Sequence, residues 1–191
     1  MNFTDNIVLE NNLVLLRPLT SEDEAGLSKI SFDPDIWSFF VTRASDPDEL
    51  KEFINIALED RKRNFRYPFT IIDKPSGKIA GSTSYGNISV KDKRLEIGWT
   101  WLGKEFQGTG INKECKFLLL QYAFEHLKFE RVEFKTDVLN KASRRALEKI
   151  GAKEEGILRS HTLMHDGRRR DTIYYSILKD EWGKIKMSFR T

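Results

Sequence analysis

Apolar residues along this chain follow two rhythms, one repeating every second position and one every three or four. Leu95, Ile97, Trp99 and Trp101 alternate with Glu96, Gly98 and Thr100, which predicts a strand. From Ile111 the period lengthens. Ile111, Cys115, Leu118, Leu119 and Tyr122 form one helical stripe, and Phe117, Leu120, Phe124 and Leu127 form a second. Two stripes predict a helix buried around most of its circumference. Val132, Phe134, Thr136 and Val138 restore the period of two and predict another strand.

Turn and capping residues place the remaining elements. Leu13–Leu16 reads as a first strand, ended by Pro18. Thr20-Ser21-Glu22-Asp23 is a capping-box pattern that opens a helix towards Phe32, and Asp33-Pro34-Asp35 breaks it. Asp46-Pro47 followed by Glu49 opens a second helix, with Leu50, Phe53, Ile54 and Ala57 inward and Arg61-Lys62-Arg63 in its last turn, where cations complement the helix dipole. Tyr67–Ile72 and Lys78–Tyr85 flank a Pro/Gly turn and predict a hairpin; Asn87–Lys93 reads as a polar connection. Asn140 caps a helix over Lys141–Ile150, which Gly151 can stop. Asp166-Gly167 joins Gly156–Met164 and Arg170–Leu178 as a last hairpin. Lys184–Thr191 is a mobile tail or an added turn. The order predicts a single α/β domain with a mixed central sheet and flanking helices.

Composition changes this picture little. A chain of 191 residues is most simply one domain, and 39% hydrophobic with 32% charged residues is ordinary for a soluble protein. The net charge of +3 is too mild to imply nucleic acid, though it helps draw a polyanion. The single cysteine, Cys115, excludes an internal disulfide and lies on a helix stripe, as a core thiol would. Three histidines do not suggest a zinc cluster, so no metal is expected; His161 and His165 flank the last hairpin and read as structural or exposed. The first residues lack a signal-peptide pattern, and no apolar run approaches the ~20 residues that span a bilayer. The expected location is the cytoplasm, without membrane attachment.

Chemistry concentrates in Gln107-Gly108-Thr109-Gly110-Ile111-Asn112, between the central strand and the buried helix. Bare backbone N–H groups at a helix start bind anions well, a pyrophosphate among them. A P-loop is excluded by spacing, because no Ser or Thr follows Lys113. A dinucleotide fingerprint loses its third glycine to Lys113. The turn resembles the acetyl-CoA loop of the GCN5-related N-acetyltransferases, Q/R-x-x-G-x-G/A, with Gln107 and Gly110 matching and Asn112 in place of the last small residue. Glu96-Ile97-Gly98-Trp99 is similar to the E-I-G-Y strand of the branch that includes the ribosomal-protein N-terminal acetyltransferases. Leu15–Leu19 resembles that branch's first strand, and Asn140–Ser143 with Gly151-Ala152 its N-x-x-S…G-A segment. The resemblance spans Val8 to Trp182, giving an acetyltransferase domain over 8–182 and a tail over 183–191.

The resemblance implies that the Leu95 and Val132 strands run parallel and splay apart, with acetyl-CoA entering between them. Gln107, Gly108, Thr109, Gly110, Ile111 and Asn112 would hold its pyrophosphate, and Trp99, Thr100, Trp101 and Leu102 would polarise the thioester and pair with the pantetheine arm. Asn140 and Ser143 would lie at the strand separation, Ser143 near the sulfur. Many relatives carry a tyrosine at the place of Leu147, so here Ser143 or water would return the proton. Glu96 is the expected base, since a carboxylate in a half-buried strand can have a raised pKa; a surface salt bridge is its alternative role. Trp37, Phe40 and Tyr85, with Glu96, would line the acceptor pocket, or the aromatics simply pack.

The leading expectation is acetyl transfer to a primary amine, either a protein N-terminus or a small molecule, by direct attack in a ternary complex. A non-catalytic acyl-CoA-binding domain of the same fold is the alternative. An RNA- or ribosome-binding module using Arg168-Arg169-Arg170 is a third, disfavoured reading. A second copy of the chain, as a homodimer, is a further candidate partner.

Overall fold

The computed structural model describes residues 2–189. Eight strands form one sheet: β1 (Leu9–Glu10), β2 (Val14–Pro18), β3 (Arg66–Asp73), β4 (Lys78–Ser89), β5 (Arg94–Leu102), β6 (Arg131–Asp137), β7 (Lys153–Leu163) and β8 (Arg169–Leu178). Five helices accompany them: α1 (Glu24–Ser31), α2 (Pro47–Lys62), α3 (Ile111–Gln121), α4 (Lys141–Lys149) and α5 (Lys179–Ser188). The strand order is β1-β2-β3-β4-β5-β6-β8-β7, and only β5 and β6 run parallel, joined by the α3 crossover.

Local chemistry explains the boundaries. The Asp46 carboxylate accepts from the Glu49 N–H at 2.9 Å and caps α2, whose first residue is Pro47. Asn140 caps α4 by accepting from the Ser143 N–H at 2.9 Å, and Gly151 leaves that helix with φ +86°. Asp23 accepts from the Thr20 N–H in the expected capping box, and also from Arg17 and Thr70, so it is buried rather than solvated. The continuation of α3 is a π turn over Tyr122–His126. The stretch Asn87–Lys93, expected as a connection, instead extends β4 to Ser89 and closes a hairpin onto β5. Residues 183–188, expected as tail, are the end of α5, and Ile185 joins the core; residues 190–191 lie outside the described residues.

The core lies in two clusters on opposite faces of the sheet. One gathers Leu95, Ile97, Leu118, Leu119 and Phe134 with Leu147 of α4 and Trp182 of α5. The other gathers Leu27, Leu50, Phe53 and Ile54 of α1 and α2 around Trp37 and Trp101. Leu95 and Ile97 therefore do not share a face with Trp101, although the sequence alternates regularly through all three. A bulge is the reason. Ser84 pairs with Gly98 and Ser82 with Trp101, so Trp99 and Thr100 together oppose Thr83. Trp99 takes up the extra residue at φ +51°, a conformation that bulky side chains rarely adopt. Beyond it the faces exchange, with Thr100 turned towards α3 and Trp101 towards α2.

Candidate active site

The pairing of β5 with β6 covers three residue pairs, Arg94↔Arg131, Leu95↔Val132 and Glu96↔Glu133. After Glu96 the strands part, β5 into its bulge and β6 towards Asp137. The expected splayed pair is thus present, and Glu96 stands at its fork.

Glu96 is not half-buried as expected; only 3% of it is exposed. Its Oε2 accepts from Asn87 Nδ2 at 2.6 Å and lies 3.0 Å from Lys135 Nζ. Its Oε1 lies over Gly98, 2.7 Å from where a Cβ on that residue would stand. The carboxylate also lines a cavity of about 460 Å³, together with Asn87, Glu133, Tyr174 and Phe65. A salt bridge does hold Glu96, but an interior one facing this cavity.

On the α3 side, Gly108 and Gly110 have φ of +78° and +93°, and Gly110 precedes the first helical residue. The backbone N–H groups from Gly108 to Asn112 find no acceptor among the described residues. Gln107 Nε2 ties the start of the turn to the Leu102 carbonyl at 3.1 Å, and Thr109 Oγ1 ties it to the Phe106 carbonyl at 2.8 Å. The Asn112 side-chain oxygen is buried without a hydrogen-bond partner. A braced turn with free N–H donors and no Cβ at two positions fits a pyrophosphate group, whereas the Asn112 oxygen, an acceptor, adds nothing to the binding of an anion.

Ser143 sits in the first turn of α4, partly exposed, and no partner for its hydroxyl is found among the described residues. Leu147, one turn on, is buried in the core.

Three expected pocket residues are placed otherwise. Tyr85 is fully buried and its hydroxyl donates to the Leu119 carbonyl at 2.5 Å; burial pushes its pKa well up. It braces α3 and does not line the acceptor cavity. Trp37 is 1% exposed, with its indole N–H on the Ser31 carbonyl and its ring 5.0 Å from that of Trp101. Phe40 packs edge-on against Trp37 at 5.3 Å. The aromatic segment closes the α1–α2 core because its rings meet Trp101 there. Trp101 and Leu102 are themselves buried, so only their backbone is available to a ligand.

Sequence reasoning missed Asn87, Lys135 and Arg66. Trp99 lies between Arg66 and Lys135, with the two cations 5.1 and 5.8 Å from its ring. Asn87 had a local signal, a polar residue two places beyond Tyr85 with φ +48°. The others depend on the bulge. The arginine run has internal partners: Arg168 pairs with buried Asp137 at 2.6 Å, Arg169 donates to Ser160, and Arg170 donates to Thr172. His165 reaches the Trp37 carbonyl at 3.3 Å and His161 the Thr172 hydroxyl at 3.1 Å, so both have structural contacts. No group of three or more metal-binding side chains occurs among the described residues, and no helix there is long and apolar enough to cross a membrane.

A forked parallel pair, a bulge beside the fork and a turn with free N–H groups opening the crossover helix define an acetyltransferase fold, and the chain belongs to the GNAT acetyltransferase family, whose domain model matches residues 14–153. Its enzyme class is N-acetyltransferase. A Bacillus subtilis (strain 168) protein with the provisional name ribosomal N-acetyltransferase YdaF is 36% identical over 149 residues, 76% of this chain and 78% of its own. The crystal structure of a GCN5-related N-acetyltransferase from Brucella melitensis superposes with a TM-score of 0.89 at 29% identity, covering 97% of this chain and 85% of that one. A ribosomal-protein-S5-alanine acetyltransferase from Vibrio fischeri shares the fold, with a TM-score of 0.75 at 22% identity over 93% of this chain and 99% of that one.

Proposed function

We propose that the chain moves the acetyl group of acetyl-CoA to a primary amine, either a protein N-terminus or a small molecule, by direct attack in a ternary complex. One observation carries this reading: the Glu96 carboxylate is buried at the last paired residue of the fork and lines the 460 Å³ cavity, while β5 runs on from it to a turn whose N–H groups from Gly108 to Asn112 are free. Acetyl-CoA supplies an activated acyl carbon and a thiolate leaving group. The turn binds its pyrophosphate, and backbone N–H groups of Gly98–Leu102 polarise the carbonyl. The cavity receives the amine. Glu96 accepts the ammonium proton, directly or through one water, and Asn87 fixes the orientation of its carboxylate. The Ser143 hydroxyl, or water, protonates the departing sulfur. The name of the Bacillus subtilis relative supports an acceptor amine on a ribosomal protein.

Free-thiol release from acetyl-CoA against a panel of small amines and N-terminal peptides tests this. Turnover with at least one primary amine is expected. Acetyl-CoA binding without turnover on any acceptor would favour the non-catalytic reading.

A further inference from the structure

Lys116 has no role in the reading above. It lies on α3, is 7% exposed, and donates from Nζ to Thr100 Oγ1 at 2.7 Å. Thr100 is the second residue of the bulge, and its hydroxyl also lies 2.7 Å from Thr83 Oγ1. An ammonium has three N–H donors, and Thr100 takes one. No carboxylate pairs with Nζ among the described residues; the one ionisable group that acts on it is Cys115. Burial pushes the Lys116 pKa down to about 8 and the Cys115 thiol up to about 12, so Cys115 is neutral. On the strand opposite, Tyr85 is also neutral, its pKa raised by burial. Glu114, on the same helix, is held by Asn11 at 2.7 Å.

An unpaired ammonium in such a place opposes folding, and a methionine would fill the same volume without that cost. The charge is therefore expected to serve something outside the fold's own packing. Its position indicates what. Thr100 stands where β5 has left β6, between the turn at Gly108–Asn112 and the Glu96 fork.

We infer that Lys116 is a positioning residue whose ammonium, set beneath the bulge and oriented by Thr100, stabilises the sulfur of coenzyme A as the thiolate. This rests on the proposed acetyl transfer. In that reaction the acceptor nitrogen bonds to the acetyl carbon and the C–S bond breaks. Its electron pair goes to sulfur; of the two protons the ammonium loses, the first goes to Glu96 before attack and the second leaves the nitrogen once it has bonded to the acetyl carbon, passing through Ser143 or water to the sulfur. The thiolate leaves beside a fixed positive charge and is protonated afterwards by Ser143 or water. Lys116 itself exchanges no proton with the acceptor.

Calorimetry of coenzyme A and of desulfo-coenzyme A, which lacks the thiol, tests the inference without catalysis. Between pH 6 and 8, where Lys116 keeps its charge, wild type should favour coenzyme A increasingly as pH rises and release a proton on binding it, and the preference should level off above that as Lys116 loses its own proton. Each unit by which the bound thiol pKa falls is about a tenfold gain in that preference. Lys116→Met should bind desulfo-coenzyme A as wild type does, melt no lower, and lose both the preference and the proton release. Thr100→Val, which removes only the orienting oxygen, should lose part of the preference, and it serves as the test if Lys116→Met does not fold. Retention of the full preference by both variants would overturn the role of Lys116. Failure of wild type to bind either ligand would instead overturn the donor site, and this inference with it.

Discussion

Glu96 and Gly98 face the same way across one strand repeat, and the glutamate's Oε1 occupies the space that a side chain on Gly98 would need, 2.7 Å from the missing Cβ. The glycine is thus part of the carboxylate's seat. Gly98→Ala should keep its fold but displace the carboxylate from Asn87 and Lys135, and so melt somewhat lower. A shift of that kind costs about 10²-fold in rate. Steady-state kinetics beside a thermal melt checks it; a wild-type kcat would show that the carboxylate need not sit there.

Glu96→Gln keeps the shape and removes the proton acceptor. The kcat should fall ~10²–10⁴-fold while acetyl-CoA affinity barely changes. Similar rates from pH 6 to 9 in both proteins would assign the proton to another group or to solvent.

At Gly110 the backbone has φ +93°, with Leu13 Cδ2 3.8 Å from a notional Cβ. Space exists, but a β-branched residue does not tolerate that φ. Gly110→Val should re-set the turn and weaken acetyl-CoA binding by at least tenfold, about 1.4 kcal/mol. Circular dichroism should stay unchanged. Unaltered affinity by calorimetry would remove the turn from the site.

Away from the site, Asp23 contributes to acid stability. Burial acts to raise its pKa, but hydrogen bonds from Arg17, Thr20 and Thr70 outweigh it and hold the group below its ordinary value. A lowered folded pKa stabilises the protein above the unfolded pKa, and that stability fades as pH falls through the folded one. Asp23→Asn should cost about 2 kcal/mol at pH 7, the scale of a charged hydrogen bond. The gap between the two urea curves should narrow towards pH 3. A gap constant with pH would refute it.

Cys115 should be inert. Its thiol is fully buried and pushed up to about 12, so almost no thiolate exists at neutral pH. A thiol-reactive dye should label it only after urea unfolding.

The frame of the fold was legible because caps and periods are local. Asn140, Asp46 and Gly151 act where their residue types suggest, and the Leu95 and Val132 strands lie where their periods place them; that the two fork was implied by the family resemblance, not by the periods. Two kinds of information were not local. Apolar alternation through Leu95, Ile97, Trp99 and Trp101 looks the same with or without a bulge, since tryptophan suits either face. The faces that carry Thr100 and Trp101 were therefore hidden, and Lys116 with them, because a lysine on a helix normally reads as solvated. Nor does an aromatic residue declare whether it walls a pocket or fills a core. Trp37 and Tyr85 do the latter because Trp101 and the Leu119 carbonyl meet them from distant parts of the chain.

The short ladder between β5 and β6 also bears on how the molecule breathes. Five strands on one side and three on the other are joined by three residue pairs, with α3 spanning the joint. Segments joined so narrowly tend to open as separate cooperative units. Amide exchange at Ile97–Leu102 and Phe134–Asp137 should then be faster than in the middle of β3 or β4. A ligand lodged in the split would act as a clasp, slowing exchange in both half-sheets together and making their opening a single event.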